Sequence, residues 1–216
     1  MKLVKRLSAT GKFSLSRHTH ITTAHIRQIL ERSFRRRSPK RLRLQTRTKL
    51  YINKMRGRST RPAPFPFRYV FWSWMGAFLG IMATSYPATL THSSLLIAPF
   101  GATCVLIFGV PDSPLAQPRN VIGGHCIATL ISLTLLHLFG DAWWVMAAAV
   151  ATSIGIMQLT GTLHPPAGAT PLVVIMTKAS WSFFFIPVLL GALILVTCAL
   201  LFNNLARDRS YPKYWF

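Results

Sequence analysis

Pro165-Pro166-Ala167-Gly168-Ala169-Thr170 opens a short apolar run, and nearly the same pattern already stands earlier, at Ala98-Pro99-Phe100-Gly101-Ala102-Thr103. The two stretches match at Pro, Gly, Ala and Thr with a fixed offset of 67 positions, and the same offset carries Val121 onto Val188 and Gly124 onto Gly191. Crossing a hydrocarbon core of about 30 Å as an α-helix takes about 20 residues. A shorter run that begins with Pro and Gly reads as a discontinuous or re-entrant helix. Such backbone survives at membrane depth only where other protein covers it or where it lines a cavity.

Longer apolar segments flank both runs. In order the segments are Tyr69 to Tyr86, Leu95 to Val110, Asn120 to Phe139, Ala142 to Thr160, Pro166 to Thr177 and Phe183 to Leu205. The first, third, fourth and sixth are long enough to span. Each half is therefore expected to be a long segment, a short Pro/Gly-started segment and a long segment. The fold class expected is all-α: a polytopic helical membrane protein with two internal repeats, four long spans and two short segments. Corresponding interrupted segments in two halves are where a transporter's binding site is sought.

The charge distribution agrees. The chain has 216 residues, 25 Lys and Arg against 4 Asp and Glu, a net charge of +21 and 51% hydrophobic residues. Every basic residue except Arg119, Lys178, Arg207, Arg209 and Lys213 precedes Tyr69. Between Tyr69 and Ala206 the only formal charges are Asp112, Arg119, Asp141 and Lys178, far below the roughly 25% charged residues of a soluble domain. That excludes an ordinary soluble fold. It also argues against a carboxylate-pair enzyme, since Asp112 and Asp141 are the acids available. Cys104, Cys126 and Cys198 lie in apolar runs without Cys-x-x-Cys spacing, so no disulfide framework or structural zinc site is indicated. The tryptophans Trp72, Trp74, Trp143, Trp144, Trp181 and Trp215 fall near segment ends, as interfacial anchors do.

Three regions follow. Residues 1–68 form a basic arm, expected to be mostly disordered, with a short amphipathic helix conceivable from Thr22 to Phe34. The arm's charge suits anionic lipid headgroups at about 1 kcal/mol per basic residue, and this is preferred to nucleic acid because a membrane begins next door. Met55, followed by Arg-Gly-Arg and a Pro-rich stretch, would serve as a translation start, and an Arg- and Ser-rich leader also reads as an organellar transit peptide. Residues 69–206 are the transmembrane domain, and 207–216 a basic, aromatic tail. Basic residues at both ends place both termini on the cytoplasmic side of a cell (inner) membrane, or of an organellar membrane as the alternative. The number of crossings is then even: six with inverted repeats if both short segments cross, four with parallel repeats if both re-enter. Arg119 favours six.

Candidate site residues come from the short-helix starts. Proline is tolerated in the first turn of a helix, where its missing N–H would be unbonded anyway. Helices beginning near Pro99 and Pro166 would present unpaired amides and a positive dipole end, with Thr103 and Thr170 one turn in, which is an arrangement that binds anions. Gly101 and Gly168 would admit the guest, so leucine there is expected to block it. His164 abuts the second break, and His125 follows Gly123-Gly124, with Arg119 before it at the segment's start; histidine changes charge near neutral pH. His92, His137, Asp141 and Lys178 complete the ionisable set. A metal site from His92, His125, His164 and the cysteines lacks the expected spacings, so no metal and no cofactor is expected. The bland reading is that the motifs serve close helix packing and each histidine bonds a carbonyl.

Leu163-His164-Pro165-Pro166-Ala167-Gly168-Ala169-Thr170 resembles the signature of the HPP family of integral membrane proteins. Ala98 to Thr103, Ser113 to Asn120, Gly123-Gly124-His125 and Asn203-Asn204-Leu205 resemble its other blocks, in order, from about Tyr69 to Trp215. Pro171 departs from the pattern. The resemblance implies a membrane domain that in some bacterial members precedes a CBS pair. Plant chloroplast members are described as nitrite transporters. The function expected is transport of a small inorganic anion, nitrite first, with no covalent chemistry. A homo-oligomer is open to such a protein, and the alternative is a non-transporting structural or regulatory membrane component.

Overall fold

The computed structural model describes residues 39–57, 59–91 and 95–216, with seven α-helices among them. The chain divides into two units at Pro62. In the first unit, helix α1 (Pro39–Met55) occupies part of the arm expected to be disordered. The helix contemplated from Thr22 to Phe34 lies outside the described residues, as does His92.

The second unit is a helical bundle. Helix α2 (Phe67–Thr91) runs through Pro87 and past the expected end at Tyr86. Helix α3 (Ala98–Cys104) continues as a wider π-helical turn, Val105–Gly109. A single 3-10 turn, Pro114–Ala116, capped by the Ser113 hydroxyl, leads into α4 (Pro118–Phe139), which starts on a proline. Gly140, at φ 76°, ends α4, and its N–H bonds the Leu136 carbonyl in a left-handed position that suits glycine. Helix α5 (Trp143–Leu159) ends before Gly161 at φ 67°. The second short segment begins as a 3-10 helix, Pro165–Ala169, and becomes α6 (Thr170–Met176). The last segment enters through a π turn, Phe184–Leu189, in which Ile186 is extended, before α7 (Leu190–Asn203).

Among the described residues two stretches combine the length and apolarity needed to cross a membrane, Pro118–Phe139 and Phe184–Asn203. Four long spans were expected, and the other two fall short for different reasons. Helix α2 has 25 residues, but Trp, Tyr, Ser and Thr dilute its hydropathy, whereas α5 is apolar but has 17. Of each qualifying stretch only 39% is buried, so most of its apolar surface faces outward, where the helix of a soluble core would be covered.

The main core joins α3, its π turn and α7 through Phe100, Ile107, Phe108, Leu195, Val196 and Ala199, and Ala77 and Ile81 of α2 pack against it. Small residues let these helices close up. A β-carbon on Gly80 would stand 2.8 Å from the Phe108 ring, and one on Gly76 would collide with the same ring. Helix α4 packs against α5 and α6, and the start of α3 packs against Pro165–Ala169, so the two short segments meet.

Candidate functional site

The meeting point of the short segments is built from four fully buried polar side chains: Thr103, His125, His164 and Thr170. Thr103 sits at the end of α3's first turn and a half, and its hydroxyl lies 2.9 Å from His125 Nε2 and 3.0 Å from His164 Nε2. The other nitrogen of His125 lies 3.0 Å from the Thr170 hydroxyl at the start of α6. His164 Nδ1 lies 2.8 Å from the Leu115 carbonyl in the Pro114–Ala116 turn. Phe100 is buried beside them, edge-on to His125 with ring centroids 5.2 Å apart.

Local sequence explains how these groups reach one another. Gly124 has no side chain to block the returning strand, because its β-carbon would lie 2.8 Å from that of His164. Asn120 donates to the Leu163 carbonyl at 2.9 Å, and Arg119 to the Thr160 carbonyl at 2.7 Å, so the start of α4 clips the segment that delivers His164. Pro99 is buried, and its carbonyl lies 3.2 Å from the Thr103 hydroxyl. Pro166 is buried as well.

The remaining candidates are not at the junction. A β-carbon on Gly101 or on Gly168 would meet nothing within 4 Å, so neither glycine borders the four polar groups closely. Arg119 is at the exposed rim, held by Thr160. His137 is exposed near the end of α4, and Asp141 pairs with Lys178 at 2.9 Å between two exposed side chains. The tandem prolines also matter. Pro165 and Pro166 have no N–H, and the Ala167 N–H is already bonded to the His164 carbonyl, so the second tip offers few free amides. The chemistry at the junction resides in hydroxyls and imidazoles.

Sequence reasoning missed the tail. Tyr211 is buried and donates to the Ala116 carbonyl at 2.8 Å, and Tyr214 donates to the Pro114 carbonyl at 2.9 Å. With His164 on Leu115, three consecutive carbonyls of one turn are each taken by a different donor. Arg209, 8% exposed, donates to the Phe108 carbonyl, Asn203 Oδ1, the Tyr69 carbonyl and the Ser73 hydroxyl, and lies 4.0 Å over the Tyr69 ring. Gln117 bridges as well: its amide donates to the Pro111 and Ser113 carbonyls, and its oxygen accepts from the Lys213 N–H. Nothing in the charge pattern distinguishes Arg209 from Arg207, since burial here depends on the fold.

Two transmembrane proteins of Dictyostelium discoideum are similar to this chain. One is 41% identical over 172 residues, covering 74% of this chain and 60% of the relative. The other is 36% identical over 178 residues, covering 77% of this chain and 57% of the relative. The chain thus spans somewhat more than half the length of these relatives. No solved structure matches it. The HPP transmembrane region matches residues 62–212, which contain the whole helical bundle and the junction between its short segments, and the chain belongs to the HPP family of integral membrane proteins.

Proposed function

We propose that this chain moves a small inorganic anion, nitrite first, along a path through the junction of the two short segments. One observation carries the reading: both Pro-x-Gly-Ala-Thr starts deliver a buried threonine to the same imidazole, His125. Polar and ionisable groups inside a membrane are costly and mark substrate or ion pathways. The hydroxyls and ring N–H groups are the donors a monovalent oxyanion needs once the junction parts. The described arrangement is closed, with His125, His164 and Phe100 filling the centre. The anion site thereby shifts from the backbone tips to Thr103, His125, His164 and Thr170. Pro99, Pro166, Gly101 and Gly168 shape the segments that carry them.

On this reading the two halves are a duplicated unit that rocks about the junction, with both termini cytoplasmic. The basic arm would dock on anionic headgroups. The alternative, a non-transporting membrane component, is favoured by one fact: each ring nitrogen of the junction already has a partner without a guest. Purified chain in liposomes decides between them. Transport predicts nitrite uptake above that of empty vesicles at neutral pH, and His125→Leu should abolish it. Uptake equal to empty vesicles for nitrite, nitrate and chloride would leave the structural reading.

A further inference from the structure

The hydrogen bonds of the junction have a direction, and one carbonyl sets it. The Leu115 oxygen can only accept, so the 2.8 Å contact places a proton on His164 Nδ1. In the neutral ring Nε2 is then bare, and it accepts the single hydroxyl proton of Thr103 at 3.0 Å. The Thr103 oxygen is left with lone pairs for His125, so His125 Nε2 donates to it at 2.9 Å. His125 Nδ1, now bare, accepts from the Thr170 hydroxyl at 3.0 Å. All four bonds donate toward Leu115, crossing from α6 through α4 and α3 to the turn that the tail covers.

We infer that Thr170, His125, Thr103 and His164 form a proton relay that couples the movement of one proton to that of the anion. This inference rests on the transport reading. In one passage, once the junction parts, a hydronium ion on the α6 side gives a proton to Thr170 Oγ, and the original Thr170 hydroxyl proton moves to His125 Nδ1. The Nε2 proton of His125 moves to Thr103 Oγ, and the former Thr103 proton moves to His164 Nε2. The Nδ1 proton of His164 leaves for water or the anion beside the Pro114–Ala116 turn. Every relay residue gains one proton and loses one, no electron moves, and one proton is displaced from the α6 side to the turn. The chain then holds the reverse order, with a bare Nδ1 and a carbonyl oxygen facing each other. That contact is repulsive, so the relay has to turn over before it accepts another proton. The Pro99 carbonyl, 3.2 Å from the Thr103 hydroxyl, is the second partner that lets this rotor swing.

The surroundings suit a neutral chain. Among the described residues no carboxylate or cation bonds either ring. Asp112 pairs with Lys213, Arg119 binds the Thr160 carbonyl, and Arg209 binds carbonyls around Phe108. The titratable groups on the elements packed around the junction are Cys104 on α3, Cys126 and the exposed His137 on α4, and Tyr211 and Tyr214 at the turn, and both tyrosines donate to carbonyls.

The test uses the full chain in liposomes loaded with a pH-reporting dye, under a potassium and valinomycin clamp, with a nitrite gradient imposed at neutral pH. Nitrite and proton uptake are read in parallel. The relay predicts protons entering with nitrite at a fixed ratio. Thr103→Val, which keeps the shape and removes the hydroxyl, should lower the ratio of protons to nitrite taken up at least about tenfold, and Thr103→Ser should restore it. Size-exclusion profiles verify that both variants fold. Nitrite uptake without protons in the wild type, or an unchanged ratio in Thr103→Val, overturns the relay and leaves transport standing. Absence of nitrite, nitrate and chloride uptake overturns the transport reading itself, and the coupling with it.

Discussion

Gly124 and Gly191 make the same contact in the two halves of the bundle. A β-carbon on Gly124 would stand 3.1 Å from the Thr162 carbonyl oxygen, and one on Gly191 would stand 3.0 Å from that of Leu95. Both the glycines and the carbonyls are separated by 67 positions, the offset that relates the two short-helix starts. In each half a long helix thus lets the segment before the other half's short helix lie directly on its backbone. This is the close approach expected when one unit has been copied.

Alanine at either glycine has to push this strand away. At Gly191 the added carbon also collides with the Phe100 ring, which packs on His125. Overpacking of this kind costs about 1–3 kcal/mol. Gly191→Ala and Gly124→Ala should each lower the thermal midpoint in detergent, and an unchanged midpoint for both would show that the strands yield freely.

Gly101 and Gly168 behave oppositely. Leucine at these positions was expected to block a guest, but both face open space. Gly101→Leu replaces a helical glycine by a better helix former, a gain of roughly 0.5–1 kcal/mol. Nitrite uptake by Gly101→Leu and Gly168→Leu should stay within about twofold of wild type, since neither touches the junction. Loss of uptake with normal insertion would return these glycines to the site.

Arg209 fastens the tail. Replacing it by methionine leaves the buried Phe108 carbonyl without its Arg209 donor, at a cost of about 1–3 kcal/mol, while the Tyr69 carbonyl keeps the Ser73 hydroxyl. Arg209→Met should lower the thermal midpoint and expose the chain after Arg207 to trypsin. Arg207→Met, at an exposed position, should do neither.

Tyr211 sets the pH range of that clasp. Burial pushes its phenol well above the ordinary tyrosine value of about 10. A folded-state value above the unfolded one means the contribution is complete below pH 10 and disappears as pH climbs through the folded value. Tail protection from trypsin should therefore be flat between pH 7 and pH 9.5, and Tyr211→Phe should weaken it by about 0.5–1.5 kcal/mol for the lost bond to Ala116.

The exposed pair of Asp141 and Lys178 fails at the other end of the scale. The hydrogen bond from Lys178 holds the Asp141 carboxyl below its ordinary value. Whatever the pair contributes is present above the usual aspartate range and lost as pH falls through the depressed value. Asp141→Asn should shift the midpoint indistinguishably from zero at physiological salt, because both side chains face solvent.

The sequence made the short helices legible because Pro and Gly punctuate a chain whatever surrounds them. Thr103 and Thr170 could be paired by offset alone, and His164 by its place next to the break. What it concealed depends on three-dimensional packing. The direction in which Gly101 faces is set by the rotation of a seven-residue helix, and that of Gly168 by the 3-10 segment that opens on Pro165-Pro166 before α6 starts. The arm's charge suggested disorder, yet Pro39–Met55 is helical, with Lys54 in the last turn where the dipole favours a cation. Leu115 and Arg209 carry no local signature, since a carbonyl's role is set by what approaches it.

The turn at Pro114–Ala116 is shared property. Tyr214 and Tyr211 grip its outer two oxygens from the tail while His164 grips the middle one from the bundle's interior. Whatever tugs on the last residues, a binding protein or a lipid surface, reaches the imidazole across a single peptide unit, with no helix needing to slide. Tyr211 and Tyr214 are therefore a handle fitted directly to a fully buried imidazole.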